Sequence, residues 1–379
     1  MTSRQWISDK MTIKQTVDIS RNLALSHAKK AKQDEFYTQL VDIENELKHY
    51  KSQLRGKIIL CNCDDPFESN FFKYFALNFN ALGLKKLIAT SYVLSPIVGG
   101  QLPTAHIEGL KPDGKEPYAI EINEVPDLHG HGATDLSDVQ YILEHNSKTS
   151  WRLNGDASYG AGDFRSQECV GFLKQADIVC TNPPFSLFRE YVAQLVEYRK
   201  QFLIIGHMNA LHYKEIFRLI KENRLWLGQS IHSGDREFRV PHHYPLRAAG
   251  FRIDEQGRKY IRVKGVRWFT NMDNSHRHEE LPLFKKYSPI EYPTYDNLDA
   301  IDVGKTNEIP CDYEGMMGVP DSFLDKFNPD QFELIGVACG DLGKEIGVTK
   351  NYRGRTDVAI TKDGKSRCPY SRIIIKRKL

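Results

Sequence analysis

The sequence predicts an α/β fold, a sheet of parallel strands with helices on both faces, followed by a separate loop-heavy region. Three observations carry this. Short apolar runs alternate with helix-period stretches between about residues 57 and 227. A proline-rich turn, Asn182-Pro183-Pro184-Phe185, joins one such run directly to a helical pattern. From about residue 276 the rhythm stops and Pro, Tyr, Asp and Asn accumulate.

The elements are read in order. Residues 1–32 hold few apolar side chains and include Lys29, Lys30 and Lys32, which reads as an arm or a loosely packed helix. Phe36, Leu40, Ile43, Leu47 and Tyr50 recur at helical spacing, so 33–50 is an amphipathic helix. Lys57 to Cys63 reads as a buried parallel strand, and Asp64-Asp65-Pro66 breaks it. Ser69 to Asn80 is the next helix and Leu87 to Val93 the next strand, completing a βαβ unit. Residues 95–150 read as a long irregular insertion. His129 and His131 lie there, but without a partner at ligand spacing they make a poor metal site. Arg165 to Gln175 fits a short helix, Asp177 to Thr181 a strand, and Leu187 to Val196 a helix with one apolar face. Gln201 to Gly206 is a strand and Asn209 to Arg224 a helix. Residues 225–227 and 265–270 are late strands with no long helix between them, which suggests an antiparallel addition at one edge. The domains expected are an arm (1–32), a core (33–275, with the insertion at 95–150) and a C-terminal region (276–379).

Composition narrows the class. The 379 residues suffice for one large domain plus a smaller one. No apolar run approaches membrane-spanning length, and the first residues hold no signal-peptide core. The seven cysteines form no CxxC pair, and Cys61 and Cys63 are too close for the usual zinc spacing, so no metal is expected. A reduced, cytoplasmic protein is the expectation. No GxxxxGK[ST] loop occurs, which argues against a phosphate-binding enzyme. Net charge is +3, yet the last 30 residues hold ten Lys/Arg against two Asp, leaving −5 for the rest. A basic end suits a nucleic-acid contact, and equally a solvated tail. The run Ile373-Ile374-Ile375 reads as a buried final strand.

The turn at 182–185 carries the chemistry. It sits at the carboxyl end of a strand, where open α/β sheets place ligands. Two prolines fix φ and extend the residue before them. The Asn182 side chain and the Pro183 carbonyl then stand as fixed acceptors for the two N–H bonds of a planar amino group, such as N6 of adenine. Phe185 offers a face for the ring, and Pro184 stiffens the exit. Catalysis of this kind is mostly positioning, with S-adenosylmethionine supplying the methyl group. The plain alternative is an ordinary strand-to-helix turn.

A cofactor site is less plainly written. The turn after the first strand reads Cys61-Asn62-Cys63-Asp64-Asp65-Pro66, with no GxG. Asp64 or Asp65 could bind the methionine amino group, or cap a helix. Asp163, in Gly162-Asp163-Phe164, is placed for the cofactor's adenine amino group with Phe164 against the ring, or is a turn residue.

At these motifs the chain resembles the EcoRI-type adenine-specific DNA methyltransferases. The matching segments include KQDEFYTQLVDIENELKHY, LCNCDDP, SNFFKYFALNF, GDFRSQE, DIVCTNPPFSLFREY, YDNLDAIDV, GVPDSFLDKFNPDQFELI and CPYSRIIIKRKL, in order from about residue 28 to the C-terminus. The stretch 95–150 and the segments near 229–262 and 339–366 match least. The resemblance implies a Rossmann-like S-adenosylmethionine-dependent methyltransferase core with a C-terminal target recognition region. It implies N6 methylation of a flipped-out adenine in a short duplex sequence such as GAATTC, in restriction-modification or as a solitary or phage enzyme. Cofactor contacts then fall on Tyr37, Thr38, Cys61, Asp64, Asp65, Asp163, Phe164 and Asn182, although Gln39 stands where many relatives of the wider class have Pro. The partners implied are double-stranded DNA and a cognate endonuclease that need not touch the chain, and a monomer is expected. Arg236, Arg239, Arg353, Arg355 and Lys376 are candidates for DNA contact, as base readers, phosphate contacts or plain surface charge. The same turn also serves amino groups of RNA guanine or protein glutamine, and related turns serve cytosine N4.

Overall fold

A computed structural model describes residues 37–63, 66, 69–92, 117–126, 130, 134–135, 137–139, 141, 150–240 and 250–378. The N-terminal arm, Phe36, His129, His131 and most of 95–150 lie outside them. The chain packs as two units, one of Met1–Glu44, Lys51–Lys200 and Asp235–Lys264, the other of Asn45–Tyr50, Gln201–Gly234 and Gly265–Leu379.

Along the chain come α1 (Leu40–Leu47), α2 (Lys51–Leu54), β1 (Ile58–Cys61), α3 (Asn70–Leu77), α4 (Phe79–Leu82) and β2 (Lys86–Thr90). β3 (Tyr118–Ile122), β4 (Ser150–Arg152), α5 (Gln167–Gln175), β5 (Ile178–Thr181) and α6 (Phe188–Glu197) follow. In the first unit the strands order β4-β3-β2-β1-β5. β1 is parallel to β2 and to β5, with Leu60 opposite Val179. All four residues of β5 are buried, which is why IVCT reads as an unbroken apolar run. β3 joins β2 antiparallel, inside the stretch expected to be irregular. Its pattern is hidden by Glu121, which is neutralised by Lys86 at 2.6 Å.

Two serines start helices as their sequence suggests. Ser69 accepts from the Phe71 and Phe72 N–H groups at 3.1 and 3.2 Å, opening α3. Ser166 accepts from the Cys169 N–H at 3.3 Å, opening α5. α6 buries Phe188, Tyr191, Val192 and Leu195, the predicted face. The expected helix over 33–50 is shorter: α1 stops at Leu47, and the Tyr50 N–H turns back to the Leu47 carbonyl. Ile43, Leu47 and Tyr50 are still fully buried, so the pattern was right and the hydrogen bonding was not.

β6 (Gln201–His207), α7 (Lys214–Lys221) and β7 (Trp226–Leu227) begin the second unit's part. The first unit resumes as a ribbon of β8 (Asp235–Val240), β9 (Arg252–Ile253) and β10 (Lys259–Lys264), ordered β8-β10-β9. β11 (Val266–Thr270) then lies antiparallel to β6 and β7, the addition expected from the late strands.

The region expected to be loop-heavy holds β12 (Thr294–Tyr295), β13 (Leu298–Asp302), β14 (Met317–Pro320), β15 (Phe332–Val337), α8 (Gly340–Glu345), β16 (Ile360–Lys362), β17 (Lys365–Arg367) and β18 (Arg372–Arg377). Five of these strands form a sheet in the order β12-β13-β14-β18-β15. The predicted final strand lies inside it, with Ile373, Ile374 and Ile375 fully buried. A buried polar group is satisfied there: Asp302 accepts from the Tyr295 hydroxyl at 2.7 Å and from Arg372 Nε at 2.9 Å. None of the seven cysteines is in a disulfide; Cys61, Cys63, Cys169 and Cys180 are buried and Cys311, Cys339 and Cys368 partly exposed.

Candidate functional site

The site is built where β1 and β5 end side by side. The parallel register that sets Leu60 against Val179 carries on to bring Asn62 level with Thr181. The Thr181 hydroxyl donates to the Asn62 carbonyl, and the Tyr191 hydroxyl on α6 donates to Asn62 Oδ1, both at short range. Asn62 is 2 % exposed and Tyr191 fully buried. Burial, with Cys63 nearby, pushes the Tyr191 phenol well above its usual range, so it stays a proton donor at neutral pH. One asparagine therefore ties together the end of β1, the end of β5 and the following helix.

Asn182, Pro183 and Pro184 are buried at the end of β5, and Phe185 is half-buried. Pro184 keeps φ −56° and ψ 122°, an extended exit. Its carbonyl is already taken by the Leu187 N–H at 3.0 Å. The acceptors expected at this turn are the Asn182 side chain and the Pro183 carbonyl.

The Gly162-Asp163-Phe164 turn is seated by a glycine. Gly162 has φ +75°, and a Cβ there would fall 1.9 Å from the Ser91 carbonyl oxygen. The turn thus lies directly on the segment just beyond β2. Asp163 is buried and engaged: Oδ1 accepts from the Arg165 N–H and Nε, and Oδ2 from an Arg165 terminal nitrogen at 2.8 Å. A carboxylate offers about four acceptor positions, so among the described residues one is left for a ligand amino group. Arg165 also reaches Glu190 at 2.9 Å, and these two carboxylates, Asp163 first, raise its already high pKa. The Phe164 ring meets Tyr191 edge-on at 5.0 Å, and its carbonyl accepts from Gln194 at 3.1 Å.

Tyr37 and Thr38 are buried. Tyr37 forms an antiparallel bridge with Arg239 on β8, its N–H donating at 3.1 Å. The Thr38 carbonyl accepts from Asn70, the first residue of α3, at 2.7 Å. The Thr38 hydroxyl is buried without a hydrogen-bond partner among the described residues. A buried hydroxyl without a partner and a carboxylate with one open position fit a ligand carrying ammonium, carboxylate and adenine amino groups.

The other candidates are placed as follows. Cys61 is buried within β1. Asp64 and Asp65 lie outside the described residues. Arg236 sits 3.6 Å from Asp42, and the Arg239 guanidinium lies 5.7 Å from the Tyr37 ring centroid, both in the first unit. Arg353 and Arg355 are exposed in a loop and Lys376 is exposed on β18, all in the second unit. Among the described residues no group of three or more His, Cys, Asp or Glu could hold a metal, and no helix is long and apolar enough to cross a membrane. The sequence reading missed Asn62, Arg165 and the anchoring role of Tyr191. Asn62 had one usable signal, its place at the carboxyl end of a buried strand.

The family model described as "Adenine-specific methyltransferase EcoRI" matches residues 24–378. The Type II methyltransferase M.EcoRI of Escherichia coli is 44% identical over 94% of this chain and 97% of its own length. The Type II methyltransferase M.MpnI of Mycoplasma pneumoniae is 36% identical over 93% of this chain and 98% of its own. The Type II methyltransferase M.MgeORF184P of Mycoplasma genitalium is 34% identical over the same shares. No solved structure matches the chain. With nearly every residue from 24 to 378 accounted for by one family, the chain belongs to the EcoRI adenine-specific methyltransferases.

Proposed function

We propose that this protein methylates N6 of an adenine at a specific short site in duplex DNA, with S-adenosylmethionine as donor. The observation that carries the reading is the buried Asn182-Pro183-Pro184 turn at the end of β5, braced through Asn62 and Tyr191. Family membership gives the adenine, and the relatives' description as Type II methyltransferases gives DNA modification at a defined site.

S-adenosylmethionine supplies an electrophilic methyl group when bound. Thr38 and Tyr37 would hold its methionine part, and the open acceptor position of Asp163 its adenine amino group. Phe164 and the ends of β1 and β5, with Cys61 and Asn182, form the surrounding wall. Asp64 and Asp65 remain assigned to this site by sequence. Asn182 Oδ1 and the Pro183 carbonyl accept the two N–H bonds of the target amine and turn its lone pair out of conjugation. Phe185 stacks on the extruded base, whose flipping costs a few kcal/mol. No side chain need act as a strong base, because the proton is acidic once the nitrogen is alkylated.

Function divides at 275/276 in this reading, with 33–275 the catalytic part, 276–379 the recognition part and 1–32 an arm. Arg236, Arg239, Arg353, Arg355 and Lys376 are the proposed DNA contacts. The enzyme works as a cytoplasmic monomer, paired in function with an endonuclease of the same specificity or acting alone. Long-read modification calling on DNA from cells expressing the protein tests this. N6-methyladenine in one short motif is expected, reduced at least a hundredfold by Asn182→Ala while DNA binding survives. Absence of any modified adenine sinks the proposal.

A further inference from the structure

A loop in the second unit is fixed more tightly than a solvated surface needs. Asn351 is 9 % exposed. Its Oδ1 accepts from the Arg353 and Arg355 N–H groups at 2.8 and 3.3 Å. Its Nδ2 donates to the Asp357 carbonyl at 2.9 Å and meets Cys368 Sγ at 3.3 Å. Every donor and acceptor of that amide is used. The Asn351 backbone closes the loop twice more, with N–H to the Arg355 carbonyl and its own carbonyl to the Gly354 N–H, both at 2.8 Å. Gly354 supplies the left-handed residue that the turn requires, at φ +70°. Asn297 grips the flanks by donating to the Thr349 and Asp357 carbonyls at 2.8 and 3.0 Å.

What this rigid loop presents is cationic and aromatic. Lys350, Arg353 and Arg355 are exposed, and no carboxylate pairs with any of them among the described residues. Some exposed cations of this unit are paired, as Lys214 with Glu345 and Lys344 with Asp341, while others, such as Lys362 and Lys376, stand singly on strands among the described residues. Tyr352 is 52 % exposed, with the Arg353 guanidinium 5.1 Å from its ring centroid. Three unpaired cations within six residues repel one another, and a fixed backbone prevents them from spreading. A phosphate contact does not need such fixing, since a flexible lysine makes one. Reading a base edge does need it, because two parallel N–H donors must meet two acceptors of one base.

The geometry points to the 350–355 loop as a pre-formed groove reader, with Arg353 and Arg355 addressing guanine edges and Asn351 as the positioning residue. This rests on the DNA reading proposed above.

The test uses the purified full-length chain on a plasmid pool carrying all single-base variants of its target, with methylation read at every adenine. Arg353→Ala and Arg355→Ala should each lower discrimination at a G·C pair about tenfold to a hundredfold, leaving the other positions unchanged. Asn351→Ala should lose discrimination at the same pairs with both arginines present. Lys362→Ala, an exposed cation outside the loop, should keep the wild-type profile. Both arginine changes are on the surface and leave the fold intact, so they decide the question even if Asn351→Ala lowers stability. A uniform loss across all variants, or an unchanged profile, overturns the groove reader while leaving DNA methylation standing. If the unaltered chain methylates no DNA, the underlying reading falls and this one with it.

Discussion

Two buried asparagines each brace one of the regions proposed to work, and they do so differently. Asn62 takes partners 119 and 129 residues away, on β5 and α6. Asn351 takes most of its partners within six residues. The first, through its backbone carbonyl and its side chain, joins elements that meet only when the first unit is folded. The second shapes a loop on top of strands that are already paired. A non-local brace couples the site to global stability. A local one lets loop residues change while the sheet beneath stays as it is, which suits a recognition surface.

The strongest blow to the first arrangement is at Gly162. Gly162→Ala sets a methyl group against the Ser91 carbonyl in a left-handed backbone. We expect a loss of about 3 kcal/mol in urea unfolding, together with lost methylation, and an undiminished midpoint would show that the turn can move away. Next in size, Asn62→Ala strands the Tyr191 hydroxyl in a dry site and should cost about 2 kcal/mol. Asn351→Ala should cost about half of that, since water can reach the loop amides. Equal costs for the two would erase the distinction drawn here. The smallest effect expected is a dependence on pH in the second unit. Asp325 beside His232 raises that imidazole above its ordinary value of 6.5, against a smaller opposing effect of burial. Because the folded pKa is the higher one, this stabilisation is complete below about pH 6.5 and is lost as pH rises through the raised value. Melting temperatures should therefore decline slightly across that window, and the decline should vanish in His232→Gln. A slope that persists in the variant would assign it to another group.

How much the sequence revealed follows the same line between local and non-local. β1, β2, β5 and β6 were legible because strands buried on both faces are written as apolar runs. The Asn182 turn was legible because strand, prolines and helix are consecutive. The sheet of the second unit was not. Its strands read LDAID, MGVP and FELIGV, where aspartate, proline and glycine imitate loops. Their pairing, with Met317 opposite Ile375, spans much of the C-terminal region. Asn62 was missed because its importance depends on β1 lying next to β5, which is a fact of sheet order. Arg165 was missed for a related reason, since its second partner, Glu190, comes from α6. The helix over 33–50 was right in its buried face and wrong in its continuity, because a turn at 48–50 keeps the same residues inward.

The distribution of thiols gives the two units different chemical vulnerabilities. Four sulfurs, those of Cys61, Cys63, Cys169 and Cys180, are shut within the first unit, and burial pushes the Cys169 thiol up to about 11. Three others, Cys311, Cys339 and Cys368, are partly open in the second. An oxidant or alkylating agent acts on thiolate that it can reach, so it meets the second unit first. Cys368 touches Asn351, and a modification there would press on the hub of the 350–355 loop before any sulfur near the Asn182 turn had reacted.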